Sequence, residues 1–99
     1  MPARIVYLGD EVTAAGFRLA GVEPRVPARG GETEALTAAL REAAIVLVGI
    51  RCANAIAPRT LTDALALRMP RVMVIPDLDG TRPSSNPATR VRRILGIEA

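Results

Sequence analysis

The stretch from Ile5 to Val22 constrains the fold more than any other, because it reads as a buried strand, a tight turn and a short helix ended by glycine. Ile5 to Leu8 is a short apolar run with β-branched residues. Gly9-Asp10 follows as a turn whose carboxylate is suited to the free N–H groups of the next helix's first turn. In that helix Val12, Ala15, Gly16 and Leu19 share one face by helical spacing, and this face is expected to meet the sheet. Gly21 stands where a left-handed C-terminal cap is easiest. Phe17, the chain's one Phe, is turned about 140° from Val12. It is expected off the sheet-facing side, either packed between this helix and a neighbouring one or serving as an anchor for a partner protein.

Val22 to Ala28 contains Pro24 and Pro27, and a strand that cannot donate at these positions belongs on a sheet edge. After Gly30-Gly31, the acids Glu32 and Glu34 open a helix whose apolar side carries Leu36, Ala39, Leu40 and Ala43. Ala44 to Ile50 is continuously apolar without alternation, as a central parallel strand covered on both faces should be, and is expected to be the most buried element. Arg51 to Ala57 is a connection of open conformation, and Pro58 begins a helix directing Leu61, Ala64 and Leu65 to the core. Val72 to Ile75 repeats the buried-strand pattern and stops at Pro76. A polar loop from Asp77 to Ser85 then leads to a last helix over 86–96, with Asn86 at its cap, Pro87 at its first position, and Val91, Ile94 and Leu95 on one face.

Four strands alternating with helices predict a single α/β domain over 1–99 with right-handed crossovers. With the proline-bearing strand at an edge, the parallel sheet has the order 2-1-3-4, a shortened flavodoxin-like or receiver-like layout with helices on both faces. The first and last helices fall on one face and the middle ones on the other.

Ninety-nine residues, 49% of them hydrophobic, suit one small core, which scarce aromatics oblige to be aliphatic. The lack of histidine and the single Cys52 exclude an internal disulfide and the usual zinc patterns. The longest apolar run, Ala43 to Ile50, is far short of a membrane span, and Met-Pro-Ala-Arg leads into a strand rather than a signal peptide, so a cytoplasmic chain is expected. A formal charge of +3 is too modest to predict nucleic-acid binding. All thirteen basic residues are Arg, forks suited to carboxylate partners, although codon bias gives the same composition.

Ligands of such sheets bind at the strand ends, so chemistry is sought there first. Asp10-Glu11 resembles the acidic pair of a receiver, but Gly49, Ile50 and Arg51 follow the third strand where a phosphoacceptor Asp belongs, and no Lys exists. Asp10 therefore reads as a helix cap. The glycines form no phosphate-binding motif, and Cys52 has no base to activate it and reads as a small, partly buried residue. Asp77, Asp79, Ser84, Ser85 and Asn86 carry oxygen ligands, yet Pro83 and Pro87 favour a solvated turn over a calcium loop. No catalytic, cofactor-binding or metal-binding residue is assigned. Arg90, Arg92 and Arg93, with Val91 and Ile94, make the last helix basic and amphipathic; they either lie solvated near the helix C-terminus or dock on an acidic coiled coil.

Gly9-Asp10-Glu11 followed by Gly16-Phe17-Arg18-Leu19-Ala20-Gly21-Val22 resembles the opening of the F subunit of the V-type (A/V-type) rotary ATPases. The likeness runs through Ala44 to Ile50, Pro70 to Pro76 and the basic closing segment Val91 to Gly96. It implies a noncatalytic central-stalk component without a cofactor, bound to the coiled-coil shaft (the D subunit) beneath the catalytic A and B subunits, peripheral to the membrane and modulating the coupling of ATP turnover to ion transport. The shaft-facing residues are then expected to be Arg90, Arg92, Arg93 and Ile97, with Phe17 and Arg18. Because the sequence ends three residues after Gly96, a mechanism needing a long C-terminal extension is not expected unless the last helix detaches from its own sheet. The alternative from another class is a degenerate receiver-like signalling module that binds a protein partner, and a third is a small-molecule-binding flavodoxin-like protein.

Overall fold

The computed structural model describes residues 4–77. The loop beyond Asp77, the helix expected over 86–96, and with them Arg90, Arg92, Arg93 and Ile97, lie outside the described residues.

Four parallel strands, β1 (Ile5–Leu8), β2 (Glu23–Arg25), β3 (Ile45–Gly49) and β4 (Arg71–Ile75), form one sheet in the order β2-β1-β3-β4. This is the order that Pro24 dictates, since the proline-bearing strand stands at the edge beside β1. Its pairing is short: three residues of β2 align with Val6, Tyr7 and Leu8.

The sheet is covered unequally. Val6, Leu8, Val46, Val48 and Val72 point to one face, where Leu36 and Ala39 of α2 (Glu32–Glu42), Cys52 and Ala53 of α3 (Ile50–Ala55), and Leu61 and Ala64 of α4 (Pro58–Leu65) close over them. The connection after β3, left open by the sequence, is thus the short helix α3. Tyr7 alternates with Val6 and Leu8 and so points to the other face, beneath α1 (Glu11–Leu19).

Burial corrects the expectation that the third strand is the most deeply covered. In β1, Val6, Tyr7 and Leu8 are wholly buried, whereas Ile45 and Leu47 of β3 stay half-buried. The reason is that α1 packs on β1 and β2, leaving the same face of β3 and β4 thinly covered among the described residues.

Helix ends follow local chemistry. Asp10 caps α1 by accepting the Thr13 N–H at 2.9 Å. Gly21 takes a φ of 85° just past the end, the left-handed conformation expected there. Arg25 anchors the edge strand to the end of α2, pairing with Glu42 and also with Glu23 at 2.7 Å. The two carboxylates hold its guanidinium even more firmly charged than usual, and Arg25 in turn lowers the Glu42 carboxyl.

Candidate functional site

The C-terminal ends of β1, β3 and β4 converge on a tyrosine. The Tyr7 ring is fully buried, and its hydroxyl donates to Asp10 Oδ1 at 3.1 Å and lies 3.5 Å from Asp77 Oδ1. The other oxygen of Asp77 accepts the Arg51 N–H at 3.0 Å, so this carboxylate ties the exit of β4 to the start of α3. Both acids thus serve the chain's own donors.

The phenol fits because glycines flank it. A methyl group at Gly9 would overlap the Tyr7 hydroxyl; one at Gly49 would overlap Asp77 Oδ1 and lie 2.8 Å from that hydroxyl. Burial, reinforced by the Asp10 and Asp77 charges, raises the Tyr7 pKa well above the ordinary tyrosine value, so the phenol stays protonated at physiological pH.

Asp77 departs from the sequence reading, which put it in a solvated turn. It is half-buried and engaged with two elements, and neither a motif nor a period announces this. A signal was nevertheless available: a lone Tyr inside an apolar strand needs a polar partner for its hydroxyl, and glycines ending two strands mark the space for it.

Beside this cluster a cavity of about 360 Å³ is lined by Gly9, Asp10, Arg29, Glu32, Arg51 and Cys52, among others. Two guanidinium and two carboxylate groups balance there, giving the lining no net preference for an anion. The Cys52 thiol is pushed up to about 12 by burial, with Glu32 and Asp77 adding, so it is the protonated thiol rather than a nucleophilic thiolate at neutral pH. Among the described residues no three His, Cys, Asp or Glu side chains converge as metal ligands.

The outer surface of α1 carries the second correction. Thr13, Ala14 and Phe17 face the sheet, while Val12 is 61% and Leu19 92% exposed and Ala15 and Gly16 are open as well. Two stripes competed for the sheet. Phe17 sets the phase, because its ring packs on Tyr7 with centroids 4.8 Å apart. Phe17 is therefore not turned away from the sheet, and its half-buried ring packs on a strand residue. Arg18, its neighbour, is exposed. The structure brings Phe17 and Arg18 together on one helix; the other expected shaft-facing residues lie outside the described part.

A parallel sheet of this order, whose strand-end acids hold a tyrosine and helix starts of their own chain, defines a small α/β module of receiver-like strand order without the receiver's acid at the end of β3, where Gly49 and Ile50 stand. Residues 5–93 match the family described as ATP synthase (F/14-kDa) subunit, and the chain belongs to that family. A search of curated proteins gave no match. The family makes the chain a component of an ATP synthase complex, and no described helix is long and apolar enough to cross a membrane.

Proposed function

We propose that the domain is the noncatalytic F subunit in the central stalk of a V-type or A-type rotary ATPase, bound to the D subunit that forms the shaft. It turns with the shaft below the catalytic A and B subunits, on the cytoplasmic side and peripheral to the membrane, and contributes to coupling ATP hydrolysis or synthesis to ion movement. The observation that carries this reading is the family match over residues 5–93. Two features support it: the strand-end acids are committed to internal bonds, and α1 exposes an apolar stripe beside Arg18 that suits contact with a helical partner. On this reading the shaft contact is made by packing of Ile97 and by Arg–carboxylate pairs from Arg90, Arg92 and Arg93, with Arg18 and the half-buried Phe17 at its margin.

The test is capture of the purified coiled-coil shaft protein by the immobilised full-length chain. Retention at one-to-one stoichiometry is expected, and failure of the shaft to bind overturns the reading.

A further inference from the structure

Independently of that reading, we infer that residues 86–96 of this same chain form a helix that packs on the face of β3 and β4 beside α1 and completes that layer of the domain. Alternation defines the face. Val46, Val48, Val72 and Val74 turn to the core under α2, α3 and α4, which leaves Ile45 and Leu47 of β3 and Arg71, Met73 and Ile75 of β4 on the other side. The register sets Ile45 beside Arg71 and Leu47 beside Met73, so the apolar side chains form one block. Helix α1 packs on β1 and β2, and among the described residues the block is incompletely covered: Met73 is 42% exposed, and Ile45, Leu47 and Ile75 are half-buried.

The dimensions suit one helix. Two strands at ordinary spacing span about 10 Å, the diameter of a helix with its side chains. Lengthwise, the five residues of β4 run about 17 Å, and eleven helical residues run about 17 Å. Residues 78–85 supply chain enough to climb to that layer, since eight residues reach about 26 Å and packed layers stand about 10 Å apart.

The chain's own tether argues for this occupant. Asp77 follows the C-terminal end of β4 at the corner of the face, so residues 86–96 are held near it at an effective concentration on the order of millimolar. Beyond Asp77 the sequence carries one apolar stripe of helical spacing: Val91, Ile94 and Leu95 fall within about 100° of one another, with Arg93 on the far side. Running back along β4, such a helix sets Val91 at the level of Met73 and Leu47 and carries Glu98 toward Arg71, so opposite charges meet at one end. Tyr7, on which Phe17 packs, is the ladder neighbour of Leu47, so the half-buried Phe17 stands at the border of the block. Arg93 is left on the solvent side.

Thiol labelling of the full-length chain tests this, with folding followed by circular dichroism and labelled sites assigned by peptide mass. The native Cys52, 6% exposed, is the internal reference for a buried thiol. Val91→Cys should label at least about tenfold more slowly than Arg93→Cys in the folded chain, and denaturant should remove the difference. Adding Met73→Glu, which puts a charge into the block, should bring Val91→Cys up to the Arg93→Cys rate. Equal rates in the folded chain overturn the inference. So does protection of Val91→Cys that survives Met73→Glu, which then arises elsewhere, or that grows with protein concentration, which a second copy then supplies. The comparison of Val91→Cys with Arg93→Cys decides even if Met73→Glu fails to fold. No shaft protein enters the measurement, so its result stands apart from the capture test above.

Discussion

Phe17 of α1 stacks on Tyr7 of β1 with ring centroids 4.8 Å apart and planes inclined by 30°. This contact between the chain's one Phe and one Tyr fixes which side of α1 meets the sheet. Phe17→Ala should therefore cost about 2 kcal/mol, less than for a fully buried Phe, because the ring is only half-buried. Leu19→Ala, on the exposed stripe, should cost within about 0.5 kcal/mol. Urea denaturation of both variants measures the difference; equal costs would restore the helix phase read from spacing.

The fit of the phenol between two glycines is tight enough to be tested directly. Gly49→Ala should destabilise by about 1–3 kcal/mol, because the new methyl meets both the Asp77 carboxylate and the Tyr7 hydroxyl. Combining it with Asp77→Ala should recover part of the loss, which a double-mutant cycle reads as coupling. Purely additive costs would mean that the two sites do not touch.

Stability should fall with alkali. The ordinary values are 10.0 for Tyr7 and 9.0 for Cys52, and folding raises both, Cys52 to about 12. Each group's share of stability is whole below its unfolded value. Above it the unfolded chain releases the proton that the folded chain keeps, so stability drops as pH rises from about 9 to about 12. Cys52→Ala should flatten the first part of that decline, and a thermal melt series at increasing pH follows it. A Tm that stays constant through this range contradicts the buried placement of both groups.

Reversal of Arg90, Arg92 and Arg93 to Glu should weaken binding to the coiled-coil shaft at least about tenfold and make the residual affinity less sensitive to salt. Calorimetric titration at two ionic strengths gives both numbers. Unchanged affinity would move the shaft contact elsewhere on the domain.

Much of this architecture was legible in the chain. Pro24 placed β2 at the edge, Asp10 and Gly21 bracketed α1, and the apolar run before Ile50 put β3 inside the sheet. What escaped was set by contacts distant in sequence. Val12, Ala15, Gly16 and Leu19 form as good an apolar stripe as Thr13, Ala14 and Phe17, and only the presence of Tyr7 beneath the latter decides between them. Asp77 shows nothing locally of its bonds to Tyr7 and Arg51, seventy and twenty-six residues away. Nor did the run from Ala44 to Ile50 reveal that Ile45 and Leu47 stay half-buried, since hydrophobicity reports what a strand tolerates and not which helix lies over it.

The phenol between Gly9 and Gly49 has a consequence for how such a domain changes over generations. Alanine at either glycine collides at once, and a smaller residue in place of Tyr7 leaves a void under Phe17 and removes the one hydroxyl donor that two carboxylates share. Each of these single changes is therefore uphill taken alone, so the closed strand end yields only to substitutions made at two or more of these positions together.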